Sequence, residues 1–505
     1  MRKQIKSFTG VIARHARKRP DDCCFVTTSS RLSWKEFAST VYDIASRFRE
    51  SELKPGDTVA LSIEDPIKYV QFFFAIIERG GAAIPLPGRL ANASIQRILK
   101  DCRARLVISD NVDYESLCLD IENCSHIAPS QLLNRQSQSQ SITQVSPDSP
   151  MTVFYSSGTT EAPKGVMHSH EGRISSSRIH MDSYEICESS RNLITAPMYT
   201  SRALSPIIST VFAGGTSIVI DYSVEQLFDT IAENQPTLLN LTPMQFGQVL
   251  GHERFDPTLF RCFSFLQSGA STLNPDLGEI LFEVFPESFV EGYGSTEAEL
   301  IALLPRNGRK SKRGSVGLPP RNVEIEIRSQ HGELSPSGDT GEICVRSPAL
   351  AATYFNRPRE TKNAFRKTGE SQRYFATGDL GYIDEDGYLW LRGRSKDMLI
   401  TAGFNIYPSD IEAVLSKHQD VSDVAAIGIP EAVLGEIPVA FVVLRKSVKY
   451  SSNVERHLCT WANGRLNSNQ RLYKVKIIDS LPYNSNGKVD KNRLFELTQT
   501  QHSST

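Results

Sequence analysis

Apolar runs of strand length alternate with helical stretches through the first half of the chain, and this alternation constrains the fold more than any other feature. Val59–Ile63, Ala82–Leu86, Leu106–Ser109, Gly215–Ile220 and Phe263–Leu266 are short and largely apolar, and a helical stretch through Phe72–Ile77 separates the first two. Parallel strands cannot be joined by a tight turn, so strands spaced by helix-length segments point to crossover connections and a largely parallel sheet. An α/β body is therefore expected. With 505 residues the chain exceeds one ordinary core, and two or more domains are expected.

The pattern changes near Gly393-Arg-Ser-Lys396. Ser409-Asp-Ile-Glu412 reads as a capping box, followed by Ile411, Val414 and Leu415 at helical spacing. Strands at Ala425–Ile427 and Val439–Leu444, a helix around Val454, Leu458 and Trp461, and a strand at Val475–Ile478 complete a compact α+β unit. About a hundred residues suffice for its own core. The expected division is a large body of residues 1–394 and a small cap of residues 395–505. The Gln- and Ser-rich stretch 136–149 reads as an exposed connector, and the tail after Leu497 as a frayed end.

Composition excludes several classes. Hydrophobic residues make up 40% and charged residues 22%, which argues against a disordered or membrane-spanning chain. A formal net charge of -1 offers no electrostatic basis for binding nucleic acid or an anionic membrane. The basic N-terminus lacks the apolar run of a signal peptide, and Phe72–Ile77 is far too short to span a bilayer. Nine cysteines without a C-x-x-C pair are expected to be free thiols in a reducing cytoplasm.

Chemistry concentrates in a few segments. Tyr155-Ser-Ser-Gly-Thr-Thr-Glu-Ala-Pro-Lys-Gly165 gathers four aliphatic hydroxyls, a glycine and a lysine, a composition suited to polyphosphate oxygens. It is not a Walker loop: Pro163 precedes Lys164 and Gly165 follows, so the hydroxyl that would bind magnesium is missing. Further along, Glu291-Gly-Tyr-Gly-Ser-Thr-Glu297 contains Gly-x-Gly without the third glycine of a dinucleotide fingerprint. Its parts suit other chemistry. Tyr293 offers a flat face for adenine, Thr296 a hydroxyl for phosphate, and Glu297 a hard oxygen for magnesium. Asp379 in Thr377-Gly-Asp379 is a carboxylate able to bind both ribose hydroxyls, and Arg394 after Gly393 is a cation for ribose or phosphate. Lys488 sits on a glycine turn, Asn486-Gly-Lys488, in the expected cap.

These segments, in this order from about Leu32-Ser-Trp-Lys-Glu-Phe37 to Arg493, resemble the adenylate-forming superfamily of acyl-CoA synthetases, adenylation domains and luciferases. The resemblance implies a large N-terminal body with a mobile C-terminal cap. It implies activation of a small carboxylic acid with ATP and magnesium, followed by attack of a thiol on the acyl-adenylate. It assigns Lys488, Lys164 and Glu297 to catalysis, with Glu297 the magnesium ligand. Nucleotide binding falls to Ser156, Ser157, Gly158, Thr159, Thr160, Lys164, Glu291, Gly292, Tyr293, Thr296, Asp379, Arg394 and Lys488. Lys396 takes the hinge position, and Gly403 in Ala402-Gly-Phe404 lines a thiol tunnel where a pantetheine arm needs close backbone approach.

The acceptor is expected to be coenzyme A. The alternatives are the phosphopantetheine of a separate acyl or peptidyl carrier protein, an amine in an amide-forming ligase, and a nucleotide-binding pseudoenzyme. The chain carries no carrier motif of its own, and retention of Lys488 and Glu297 argues against the pseudoenzyme. Some positions depart from the family pattern. Glu161 stands where relatives carry glycine, either as a tolerated exposed side chain or as a source of repulsion toward triphosphate. Ile400 replaces a frequent lysine, so no nucleotide contact is assigned to it. In the acyl-pocket motif Pro197-Met-Tyr-Thr-Ser-Arg-Ala203, Thr200 stands at a position that is often histidine. Arg202 is a candidate partner for a second substrate carboxylate, against an ordinary ion-pair role. His168, His170 and His180 have loose metal-like spacing but no accompanying acid or cysteine, so no zinc site is expected.

Overall fold

The computed structural model describes residues 7–499 apart from 51–52, 88–89, 134–142, 157–163, 272, 305–307, 309–310, 369–371, 403, 432, 446–447, 449–451, 468–469 and 484–488. The expectations for Ser157, Gly158, Thr159, Thr160, Glu161, Gly403 and Lys488 lie outside the described residues.

Two sheets form the frame of the body. An eight-stranded sheet runs, in spatial order, Glu299–Leu303, Phe289–Ser295, Phe265–Ser268, Leu238–Leu241, Arg191–Ile194, Thr216–Val219, Cys23–Val26 and Arg31–Ser33. Its six inner strands are parallel and the two edges antiparallel. A seven-stranded sheet runs Thr353–Tyr354, Lys164–Ser169, Pro150–Ser156, Ala82–Pro85, Thr58–Ser62, Leu106–Ser109 and Ser125–Ile127, parallel except at its first two strands. The alternation of apolar runs and helices thus folds as expected, because strands covered on both faces must be apolar throughout.

The apolar run Phe72–Ile77 lies in the helix Pro66–Glu78, which Asp65 caps by accepting from the Lys68 amide at 2.8 Å. Phe72, Phe73, Phe74, Ile76 and Ile77 are fully buried, packed with Phe8, Trp34, Phe37 and Phe48. A helix apolar all round is a helix buried all round.

A third, five-stranded antiparallel sheet spans Glu324–Arg328 to Leu389–Arg394 and was not anticipated from the alternation pattern. It carries Asp379 and Arg394. Beyond it, strands from Leu399–Thr401 to Lys474–Ile477 form a separate five-stranded sheet. Helices Pro408–Leu415 and Ser452–Asn463 pack on it over their own core of Ile406, Ile411, Leu415, Val442, Leu458 and Val475. One local expectation fails. Ser409 and Glu412 form no capping box, because Pro408 starts the helix after Tyr407 and leaves Ser409 inside its first turn. The Ser409 hydroxyl donates to the Arg392 carbonyl, and Glu412 accepts the Ala426 amide. Both side chains tie the unit together instead of capping.

Candidate functional site

Glu291–Glu297 leaves the parallel sheet at its edge and turns back into Glu299–Leu303. Gly294 is needed here: a Cβ would lie 2.2 Å from the Glu299 carbonyl oxygen, a backbone atom that cannot yield. The Gly-x-Gly is thus a hairpin packing requirement, not a dinucleotide fingerprint. Glu291 sits at the base of the segment, where burial raises its carboxyl to about 7.

The antiparallel sheet delivers the next two residues in register, Asp379 opposite Arg394. The Asp379 carboxylate accepts from the Tyr293 hydroxyl at 2.6 Å through Oδ2, and from Arg394 Nε at 3.1 Å through Oδ1. Its own amide donates to Thr377 Oγ1, which donates in turn to the Ile343 carbonyl. Each carboxylate oxygen keeps acceptor capacity beyond its one protein donor, as binding of vicinal hydroxyls demands. Tyr293 was expected only as a flat face; its hydroxyl also tethers the carboxylate. Burial, and then Asp379, push that phenol well above its ordinary value.

Glu297 and Lys164 meet through a residue the sequence did not flag. Tyr354 pairs with Val166 on the strand that begins at Lys164, and its hydroxyl donates to Glu297 Oε1 at 2.9 Å. The Ala351 amide donates to the Glu297 carbonyl at 2.7 Å, locking the same loop to the turn. Glu297 Oε2 has no hydrogen-bond partner among the described residues, so one hard oxygen is available to a cation. No group of three or more His, Cys, Asp or Glu could hold a metal among the described residues. A magnesium here fits the usual arrangement of one protein carboxylate completed by phosphate oxygens and water. Ser156 and Lys164 face each other across the strand pair on either side of the phosphate-type loop. Gly165 leaves room for Tyr155, whose hydroxyl donates to Asp101 at 2.7 Å.

Behind the turn lies a second group that sequence reading missed. Glu299, with a φ of 59°, is buried against Arg173, whose Nη1 lies 2.6 Å from Oε1. Arg173 also donates to Thr152 and Ser205, and to His168 Nδ1 at 3.1 Å, while Ser176 donates to Glu299 Oε2. Burial lowers His168 to about 3, so it stays neutral and serves as an acceptor. His168 and His180 therefore belong to a structural ion-pair cluster. His170 accepts from the Phe8 amide elsewhere. Arg173 and Glu299 are 126 residues apart, and no local motif marks the pair.

On the other side, Ser201 Oγ lies 3.2 Å from Thr296 Oγ1. This contact sets the start of helix Ser201–Ala213 against the turn. Thr200 does not line the adjoining cavity; its hydroxyl is used locally on the Pro197 carbonyl at 2.7 Å. Arg202 does line it. The cavity holds about 370 Å³ at the carboxyl ends of several parallel strands, with Thr195, Met198, Ile220, Met244 and Gln245 among its walls. Burial pushes the Arg202 guanidinium below its ordinary value, and its Nε has no acceptor. Lys396 is exposed in a single 3-10 turn, Ser395–Asp397, that joins the third sheet to the small unit.

The AMP-binding enzyme model matches residues 12–355, and the AMP-binding enzyme C-terminal domain model matches residues 410–488. The chain belongs to the AMP-binding enzyme family. The chain thus lies in the adenylate-forming superfamily. It is 28% identical to indoleacetate–CoA ligase of Aromatoleum aromaticum, over 96% of this chain and 97% of that one. With 2-succinylbenzoate–CoA ligase of Bacillus velezensis it shares 28% identity over 96% and 97% of the two chains. Its fold is similar to ATP-bound MatB of Rhodopseudomonas palustris, with a TM-score of 0.90, 26% identity, and 98% and 100% of the chains covered. Against the apo form of that protein the TM-score is 0.81 at the same identity. Among the described residues no helix is long and apolar enough to cross a membrane.

Proposed function

We propose that the enzyme activates a small carboxylic acid with ATP, releases pyrophosphate, and transfers the acyl group to the thiol of coenzyme A. One observation carries this reading. Asp379, Arg394 and Tyr293 cluster at one part of the segment Glu291–Glu297, while Glu297, Tyr354 and the Lys164 strand cluster at the other. A nucleotide laid along the segment has its ribose at the first cluster and its phosphates at the second.

A free carboxylate is a poor acyl donor, because oxide would have to leave. Attack of its oxygen on the α-phosphorus forms the acyl–adenylate bond and breaks the bond to pyrophosphate. Both reactants are anions, so catalysis rests on alignment and charge neutralisation. Asp379 accepts the ribose hydroxyls, Arg394 and Tyr293 hold that carboxylate in place, and Lys164 faces the phosphates. Lys488 neutralises charge between the acid and the α-phosphate. Glu297 would hold magnesium, which would supply positive charge to the triphosphate. The thiol sulfur then attacks the acyl carbon and AMP departs with the electron pair of the broken C–O bond. The boundary between residues 394 and 395, with Lys396 as hinge and Gly403 in the thiol tunnel, is part of the same proposal. The exposed turn between two separately cored units supports it.

The test is acid-dependent pyrophosphate release over a panel of acids, with mass spectrometry of the product. We expect acyl-CoA, and a loss of at least about 100-fold in pyrophosphate release for Lys488→Ala and for Glu297→Gln. Pyrophosphate release with no acid in the panel refutes the activation step. An adenylate that reacts with a carrier protein or an amine but not with coenzyme A refutes the choice of acceptor.

A further inference from the structure

We infer that Arg202 is a substrate-specificity residue, and that the acid this enzyme activates carries a second carboxylate, which Arg202 binds in this cavity. The inference rests on the acid-activating function proposed above and names the substrate class of that same site.

Three observations converge. First, Arg202 is a cation with no counter-charge among the described residues. No carboxylate among the described residues lies within ion-pair distance, taken as 4.0 Å, and its Nε is buried without an acceptor. Withdrawing a charge from water is costly unless a counter-charge replaces the lost hydration. Second, the same cavity wall holds a further orphan, the Thr195 hydroxyl, also buried without a partner. Guanidinium and hydroxyl together donate to a planar anion, and the guanidinium fork matches a carboxylate bidentately. Third, Arg202 directly follows Ser201, whose hydroxyl touches Thr296 beside Glu297. The wall of the cavity that carries Arg202 is therefore next in the chain to a residue that touches the candidate site.

The remaining lining agrees with a small, doubly charged acid. Met198, Ile220 and Met244 offer apolar wall for a short carbon skeleton, and about 370 Å³ is near the lower end for a ligand pocket. Glu64 and Asp221 also line the cavity, but both are exposed and neither pairs with Arg202. A fatty or aryl monocarboxylate, with its one charge at the α-phosphate, would leave Arg202 without a counter-charge among the described residues.

The test compares matched acids: butyrate, succinamate and succinate, then valerate and glutarate, then hexanoate and adipate. Each is assayed for pyrophosphate release and coenzyme A thioester with the wild type, Arg202→Met and Arg202→Lys. We expect wild-type kcat/KM for the best diacid to exceed that for its isosteric monoacid by about 100-fold, with the amide close to the monoacid. We expect Arg202→Met to erase most of that ratio and Arg202→Lys to keep part of it. A ratio measured within one preparation is independent of the fraction of enzyme that folded. Wild-type preference for monoacids overturns the inference while leaving the ligase reading standing. Equal loss for both classes in Arg202→Met also overturns it, by assigning Arg202 to the reacting carboxylate. Absence of turnover with every acid overturns the ligase reading and this inference with it.

Discussion

Replacing Arg173 by methionine tests whether the buried ion pair behind the Glu297 turn holds the site in shape. Arg173 is 1% exposed and makes one ion pair, three further hydrogen bonds and a stacking contact over Phe154 at 4.9 Å. In Arg173→Met, Glu299 keeps the Ser176 and Ser205 hydroxyls and, at 3.8 and 4.0 Å, the ring nitrogens of His168 and His180, but no fixed positive charge. Two unit charges about 4 Å apart interact by about 4 kcal/mol at an effective dielectric of about 20. Stranding a buried carboxylate by removing its partner costs about 3–5 kcal/mol. The two figures agree, so we expect the unfolding midpoint of the body in urea to report a loss in that range. Glu299→Met with Arg173→Met should recover about half or more of it, because two apolar side chains leave no buried charge.

The pH dependence supplies a second check. In the wild type, burial pushes the Glu299 carboxyl up, but Arg173 first, then His168, His180 and the Ser176 hydroxyl, together overcome this and the net shift is downward. Its stabilising contribution is therefore fully present above the ordinary glutamate range and is lost as pH falls through the lowered value. Without Arg173 the largest downward influence is gone, only those of His168, His180 and the Ser176 hydroxyl still oppose burial, and protonation relieves the stranded charge. The stability gap between wild type and Arg173→Met should thus be widest near pH 8 and narrow toward pH 5. A gap that does not vary with pH, or single and double variants that add without coupling, would refute the account. Since Glu299 sits at a positive φ two residues after Glu297, kcat/KM for ATP should fall together with stability.

Gly294→Ala should lose adenylation by more than about 100-fold, since its Cβ meets a backbone oxygen at 2.2 Å and overpacking of this kind costs about 1–3 kcal/mol or more. Gly292→Ala meets the movable Gln267 amide instead and should be milder in the same pyrophosphate assay. Tyr293→Phe keeps the flat face but drops the hydrogen bond to Asp379, and should raise KM for ATP about 10-fold with kcat little changed, as loss of a bond to a charged group implies. Lys396→Pro, read by stopped-flow thioester formation, should slow the second half-reaction by about 100-fold while a pyrophosphate burst persists, if rearrangement about that residue gates the thiol.

Much of the site was legible in the sequence because its chemistry is local. Glu297, Tyr293 and Thr296 lie within five residues, and their side-chain types state what they can bind. Asp379 and Arg394 were each recognisable in a short glycine-bearing segment. Their pairing was not, because it follows from strand register within an antiparallel sheet that no alternation of apolar runs revealed. Tyr354 escaped notice because nothing around it distinguishes a phenol that orients a carboxylate from one that packs. The capping-box pattern at Ser409 misled for a related reason: a proline one residue earlier moved the helix start, and tertiary partners claimed both side chains.

By itself, then, the sequence determined the class of fold, the order of its units and the kinds of groups offered to a nucleotide. Strand and helix periodicity are short-range properties, and a motif carries its donors and acceptors with it. Only the tertiary structure decided which charges are neutralised. Arg173 and Arg202 look alike in sequence, yet one is buried on Glu299 across 126 residues and the other faces a cavity without a counter-ion among the described residues. The difference arises from burial and partnership, which depend on what the rest of the chain brings alongside and not on the residues on either side.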